Sequence, residues 1–352
     1  MDRREFLRTT ATAAAATATA TTGAATAATA LPAPALSKGL RELRFAIAYD
    51  ENSAGPADWA SRLARSVSAL SSGQMRLVPT YGVTDGRTAI AAGNADLFFD
   101  TADTLLDAHR GFAFFAGLPG DQGLAPRHLH TWLAMGGGQP LWDDLAADHG
   151  LKPLLAAHSG PQSLFLATER VESMAALDGL KVHVAGLARD VARGLGLDPV
   201  TLPSGHIAPA LQRGEIQAAE CGGALLSYAL QLSTAARYSA GTRLNRNGTA
   251  MFLGVRRAVW NDLGASAQAF LASAANTEFQ LSLAEEEAHG RLLYPEPPAS
   301  LIWPIAHQLE HDIHRVAAAV VAHTAGIDAR SRRISDSYAA FRRSLSGDGA
   351  YA

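Results

Sequence analysis

The chain has 352 residues, a formal net charge of −3 and a single cysteine, Cys221. This length is enough for two domains of ordinary size, and the small net charge gives no reason to expect nucleic acid as a partner. One cysteine excludes an internal disulfide and a metal cluster built from cysteine thiolates.

The first 35 residues have the pattern of an export signal. Arg3 and Arg4 stand ahead of a Phe-Leu pair, a long alanine and threonine tract follows, and Ala-Pro-Ala at 33–35 is a small-residue cleavage pattern. Paired arginines before such a tract are typical of a twin-arginine signal. A membrane anchor is the alternative, but alanine and threonine are weakly apolar and charges follow directly from Lys38. We therefore predict that residues 1–35 are a twin-arginine signal peptide and that the mature chain is periplasmic.

Short apolar runs alternate with amphipathic stretches from residue 43 onward. The predicted strands are 43–49, 75–81, 95–99, 151–157, 163–167, 180–184, 199–202 and 250–255. The predicted helices are 57–70, 189–195, 207–213, 265–293 and 301–324. Strands interleaved with helices predict an α/β fold with mostly parallel sheets covered on both faces.

Three blocks, in order along the chain, resemble one known family. They are GFAFFAGLP at 111–119 with the GGGQ and LW that follow, GLKP at 150–153 leading into SGPQ at 159–162, and LDGLKVHVAG at 177–186 continuing through TLP, ALQRG and AAE to residue 220. The chain resembles the substrate-binding proteins of TRAP (tripartite ATP-independent periplasmic) transporters, the DctP-type family, and within it the branch that binds 2-oxo acids.

The resemblance implies a two-lobed periplasmic-binding-protein architecture, type II-like, with crossing hinge strands and a helical C-terminal region. We expect lobe 1 at 40–160, completed by parts of 251–345, and lobe 2 at 163–250. We expect the helices of 258–345 to brace the lobes or a dimer, and 163–167 and 250–255 to be the crossings. The implied receptor captures a small carboxylate in the cleft and delivers it to TRAP membrane permease subunits. A homodimer is a further expected partner, and the receptor itself performs no chemistry.

Two residues match the positions at which the family binds a metal cation. Gln162 stands at the glutamine position and Glu220 at the glutamate position, so the resemblance implies a bound Na⁺ or Ca²⁺ held by their oxygens together with the ligand. An amide and a carboxylate oxygen are suitable ligands for such hard cations. The alternatives are a capped strand end for Gln162 and a salt bridge to Arg189 or Arg193 for Glu220.

Two further positions depart from the family pattern. His183 stands where the family has an arginine that binds the ligand carboxylate, and Cys221 stands where it has a tryptophan. A neutral histidine offers one donor in place of the two-pronged guanidinium. If it does bind a carboxylate, affinity should strengthen as the pH falls from about 8 to about 6, unless burial keeps the ring neutral. Arg243 or Arg246 could supply the missing charge.

Two acidic residues also depart from the family pattern. Asp100 and Asp103 fall in a loop where the family tends to have aromatic or small polar residues. Acids added to a site without its arginine favour a less anionic ligand. The alternative is therefore the same fold with a non-carboxylate or cationic ligand, or a sensory role. An exported enzyme with Cys221 as its nucleophile is a third hypothesis.

Overall fold

The computed structural model describes residues 39–161, 165–293 and 297–345, without the side chain of Arg291. The predicted signal peptide and Gln162 lie outside the described residues. The strands are β1 Arg41–Ile47, β2 Met75–Thr80, β3 Leu97–Thr101, β4 Leu151–His158, β5 Leu166–Ala167, β6 Lys181–His183, β7 Asp198–Val200, β8 Ala218–Ala219, β9 Tyr238–Ser239 and β10 Ala250–Arg256.

Helices cover both halves of the described chain. They are α1 Pro56–Leu70, α2 Gly86–Ala91, α3 Ala113–Ala116, α4 Pro126–Ala134, α5 Gly138–Ala147, α6 Ala188–Gly194, α7 Ser204–Gln212, α8 Ala224–Ala229, α9 Leu232–Ala235, α10 Arg257–Asp262, α11 Ala265–Leu293, α12 Ala306–Gly326 and α13 Ala329–Leu345. Short 3₁₀ turns lie at Ala102–Leu105, Arg110–Phe112, Met174–Leu177 and Ala299–Leu301. Within the described ranges, none of the helices has the length and apolar character that crossing a membrane requires.

The first sheet has the strand order β2-β1-β3-β10-β4 and forms the centre of lobe 1. β1 is parallel to β2 and β3, whereas β10 is antiparallel to β3 and β4. Neighbouring residues of one strand enter different cores: Phe98 packs into a cluster with Trp132 and Trp142, and Phe99 into one with Trp59. Side chains of a strand alternate between faces, so this sheet is buried on both sides.

The second sheet has the strand order β7-β6-β8-β5-β9 and forms the centre of lobe 2. β6 is parallel to β7 and β8, and β5 is antiparallel to β8 and β9. Both sheets are therefore mixed, which corrects the expectation of mostly parallel sheets. In each sheet, one strand next to a connection between the lobes is antiparallel to its neighbours. This strand is β10 in the first sheet and β5 in the second.

The chain passes between the two sheets twice. It leaves the first sheet after His158 and enters the second at Leu166, and it returns between Ser239 and Ala250. β10 lies wholly within the first sheet, so the crossing on this side precedes the predicted segment 250–255. The boundaries of the lobes given above remain a prediction, whereas the two sheets and their strands are observed.

The C-terminal helices pack on both lobes. α11 lies against β4 and α1, and its Phe279 and Leu271 belong to the two lobe 1 clusters. α12 buries Leu309 and Ile313 in the lobe 2 core, and Tyr338 of α13 packs in lobe 1. One helical region thus supports both walls of the space between the sheets.

Candidate functional site

A cavity of about 1120 Å³ lies between the two lobes. Lobe 1 contributes the segments after β1 and β3, and lobe 2 contributes the ends of β6 and β8 and the start of α6. Ligands of α/β proteins bind at such strand ends and domain boundaries, because loops there converge without filling the space. Glu220, His183 and Cys221 all line this cavity, so three of the four predicted site residues are brought together.

Glu220 is a buried carboxylate at the end of β8, with 4% of its surface exposed. Leu244 N–H donates to Oε2 and Asn245 N–H donates to Oε1, each at 2.7 Å. Burial raises the pKa of Glu220 to about 7, although these two backbone hydrogen bonds and the nearby Arg243 act in the opposite direction. Because its oxygens accept backbone amides, and Arg193 pairs instead with Asp190, the alternative of a salt bridge from Glu220 to Arg189 or Arg193 is wrong.

The oxygen atoms near Glu220 fit a hard cation. Asn245, whose backbone binds Glu220, also lines the cavity, and its side-chain Oδ1 is buried without a hydrogen-bond partner. This amide oxygen can therefore accept a hydrogen bond or bind a cation. Each carboxylate oxygen of Glu220 accepts one backbone hydrogen bond and keeps a second lone pair that could bind the same cation. Sequence reasoning missed Asn245, because a lone asparagine in a loop has no motif around it.

His183 is held as a neutral ring. Leu202 N–H donates to its Nδ1 at 3.1 Å, so the ring proton sits on Nε2. Burial lowers the pKa of His183 to about 4. The ring therefore stays neutral between pH 6 and 8, and the pH dependence expected of an unperturbed histidine does not follow.

Cys221 forms part of the cavity wall, and its surroundings do not activate it as a nucleophile. Burial raises the pKa of its thiol to about 12, and the negative charges of Glu220 and Asp103 act in the same direction. A nucleophilic cysteine needs a thiolate at working pH, and this environment opposes one. Its main-chain oxygen accepts a hydrogen bond from Ser227 Oγ at 2.7 Å, which fixes the turn after Glu220.

Arg189 is one of four arginines among the described residues that line the cavity, and the sequence suggested it only as an alternative salt-bridge partner of Glu220. Arg189, in the first turn of α6, lines the cavity, and its Nε is buried without a hydrogen-bond partner. Arg243 and Arg246, the predicted substitutes for the family arginine, are absent from the cavity lining among the described residues. Arg189 lies only three residues after the block at 177–186, which is the signal that could have indicated it.

The opposite wall is acidic. Asp100 is a buried residue near the end of β3, and Asp103 lies in the 3₁₀ turn that follows. Burial raises the pKa of Asp100 to about 7 and raises that of Asp103 as well. The pKa of Tyr49 is raised by burial and then by these two carboxylates, so the phenol lies close to both. Glu286 of α11 also reaches the cavity; its Oε2 accepts Ala224 N–H at 2.9 Å, and its Oε1 has no partner.

Comparisons with known proteins show what this chain resembles. The model of the family described as bacterial extracellular solute-binding protein, family 7 (DctP), matches residues 125–292. A monocarboxylate 2-oxoacid-binding periplasmic protein of Nostoc is 26% identical over 360 residues, covering 98% of this chain and 95% of that protein.

Solved structures with the same fold include several TRAP solute-binding proteins. One from Bordetella bronchiseptica, a dimer with calcium and picolinate in its active site, has a TM-score of 0.81 at 19% identity over 88% of this chain and 94% of its own. One from Colwellia psychrerythraea, with calcium and pyruvate, has a TM-score of 0.80 at 19% identity over 88% and 96%. One from Pseudoalteromonas atlantica, with sodium and pyruvate, has a TM-score of 0.79 at 19% identity over 88% and 95%. The chain is similar to the DctP family of bacterial extracellular solute-binding proteins, and it shares its two-lobed α/β fold with solved TRAP solute-binding proteins.

Proposed function

We propose that this chain is the periplasmic receptor of a TRAP-type secondary transporter and that it captures a small carboxylate, of the 2-oxo acid class, between its lobes. The main support is the cavity of about 1120 Å³, into which both lobes direct buried polar groups. Ligand pockets usually measure about 300–1000 Å³, so the cleft has room for a small acid and for closure around it. The Nostoc relative and the pyruvate-bound structures support the ligand class.

The ligand would be held together with a Na⁺ or Ca²⁺ ion. Glu220 and Gln162 would hold the cation, with the amide oxygen of Asn245 as a third donor. Bound there, the ion would link the ligand carboxylate to the receptor and compensate the buried charge of Glu220. The oxygen-only donor set and the calcium and sodium in related structures support this proposal.

The carboxylate would meet donors on the lobe 2 wall. His183 offers its Nε2 proton, and Arg189 offers a guanidinium whose Nε has no other partner. Cys221 would form the wall between them and the cation. A charged donor to a carboxylate is about twice as strong as a neutral one, so Arg189 would supply most of the binding energy lost with the family arginine.

Export and partners complete the proposal. The paired arginines at positions 3 and 4 would direct twin-arginine export, the membrane permease subunits would receive the ligand, and a homodimer like that of the Bordetella bronchiseptica protein would be the assembled form. We propose no enzymatic activity, since the raised pKa of the Cys221 thiol opposes nucleophilic chemistry. A sensory role, or a ligand that is not a carboxylate, is the alternative that the acidic wall favours.

Titration calorimetry with pyruvate and longer 2-oxo acids, with Ca²⁺ or with EDTA, tests the proposal. Glu220→Ala should weaken carboxylate binding at least a hundredfold, because it removes a buried cation ligand. Glu215→Ala is the matched control: this glutamate lies five residues earlier, is exposed, and pairs with Arg213 at the surface. Wild-type affinity in Glu220→Ala would contradict the cation-bridged site, and a chain that binds no small carboxylate would contradict the receptor function.

A further inference from the structure

Both walls of the cavity contain buried polar atoms without hydrogen-bond partners. On lobe 1 these are the acceptor Asp103 Oδ1 and the donor Arg110 Nε, and on α11 the acceptor Glu286 Oε1, in a residue only 4% exposed. On lobe 2 they are the donor Arg189 Nε and the acceptor Asn245 Oδ1. Buried polar atoms in folded proteins nearly always have partners. The cleft therefore offers both acceptors and donors to a bound molecule.

The aspartate pair has no ion-pair partner. Across the described ranges, neither Asp100 nor Asp103 forms an ion pair. Asp100 Oδ1 accepts Thr101 N–H at 2.7 Å and the Thr101 hydroxyl at 3.5 Å, and both donors are neutral. Two neighbouring carboxyls away from water need a proton or a positive charge between them.

A metal ion is the weaker way to supply that charge. Among the residues that the structure describes, no three histidine, cysteine, aspartate or glutamate side chains are grouped so that they could hold one. The aspartate pair and Glu220 are therefore not arranged to share an ion. The cation proposed at Glu220 leaves the pair uncompensated, so a proton or a positively charged group of the ligand is left to compensate it.

The walls approach each other closely at Gly186 and Asp103, which limits the length of a ligand that spans them there. Gly186, at φ +62°, lies against Asp103: a Cβ on this glycine would stand 3.2 Å from Asp103 Cβ and Oδ2. Arg189 follows three residues later on the same loop and helix. A donor group and an acid group on a small molecule could thus reach Asp103 and Arg189 at once.

We propose that the ligand is a zwitterion, a small carboxylate that also has a protonated amine, and that Asp103 with Asp100 binds the ammonium while Arg189 and His183 bind the carboxylate. The ammonium supplies N–H donors to the unpartnered oxygen and offsets both aspartates. A 2-oxo acid of the same skeleton places a carbonyl oxygen, an acceptor, against these acceptors. This inference rests on the proposed receptor function: it keeps the small carboxylate and replaces the 2-oxo acids by amino acids and their close analogues.

Matched ligand pairs test the inference. Calorimetry compares alanine with pyruvate, 2-aminobutyrate with 2-oxobutyrate, and isoleucine with 3-methyl-2-oxopentanoate, so that only the amine and the ketone differ within a pair. Wild type should bind the amino acid of the best pair at least tenfold more tightly than its 2-oxo partner. Asp103→Asn, which keeps the shape and removes the charge, should abolish that preference, and Asp336→Asn, at an exposed position of α13, should not.

The outcomes separate the two proposals. Tighter binding of the 2-oxo acids by wild type would overturn the zwitterion while leaving the carboxylate receptor intact. No binding of either member of any pair would overturn the receptor function, and this inference with it. An amino acid preference that persists in Asp103→Asn would overturn the assignment of the ammonium to the aspartate pair. The wild-type comparison decides the ligand class even if the variant does not fold.

Discussion

Glu220→Gln should change the stability of the unliganded protein in a way that reverses with pH. Burial raises the pKa of Glu220 from its ordinary value of 4.5 to about 7. At 1.36 kcal/mol per pKa unit, the deprotonated side chain costs the fold about 3 kcal/mol at pH 8. This group therefore destabilises the fold increasingly as the pH rises from about 4.5 through about 7. Glutamine is never charged and does not incur that cost.

The substitution also has a cost that does not depend on pH. Glutamine has one acceptor oxygen where Glu220 has two, so either Leu244 N–H or Asn245 N–H loses its partner, at about 1–3 kcal/mol. At pH 8 relief of the charge should equal or exceed this loss, and the variant should be as stable as wild type or more so. At pH 5.5 the folded Glu220 is protonated while the unfolded side chain is still mostly ionised, so the relief falls to about 1 kcal/mol and the lost hydrogen bond should make the variant equally stable or less stable. The stability difference should shift by about 2 kcal/mol between the two pH values.

Urea unfolding in EDTA at both pH values measures this difference. Glu215→Gln, at an exposed position, should show no such gain at high pH. Adding Ca²⁺ at pH 8 should stabilise wild type and not Glu220→Gln, because binding to the native state stabilises it by mass action. A stability difference that is unchanged between pH 5.5 and 8 would refute the buried, uncompensated carboxyl on which the cation site rests.

Three further predictions concern other parts of the molecule. The ring protons of His183 should show no NMR titration between pH 5.5 and 8, since burial lowers its pKa to about 4; an inflection near 6.5, absent from His183→Gln, would show a solvated ring. Replacing Arg3 and Arg4 by lysine should leave precursor with its leader in the cytoplasm, and undiminished periplasmic protein would count against twin-arginine export. Arg110 of lobe 1 pairs with Asp190 of lobe 2, so Asp190→Asn should enlarge the radius of gyration measured by small-angle scattering. Saturating ligand should reduce the radius of gyration of wild type. Equal radii for wild type, the variant and the liganded wild type would indicate a rigid cleft.

The sequence determined the elements of this protein and its resemblance to the DctP-type receptors. Periodicity predicted α11 with its observed bounds and placed most strands to within two or three residues, because apolar spacing reflects local burial. It left β8 and β9 unpredicted, since strands of two residues are too short to show alternation. The motif at 218–220 also located Glu220, whose position in the cavity is observed.

Only the tertiary structure decided how the site is charged. Sequence spacing could not show that Arg189 faces the cavity while Arg243 and Arg246 do not, because that depends on how α6 and the returning loop are placed around it. Nor could it indicate Glu286, which lies in the middle of a long helix and reaches the cleft only because α11 packs beneath the crossing loops. The pKa of His183 likewise depends on burial by residues distant in sequence, and burial, rather than residue type, keeps this ring neutral.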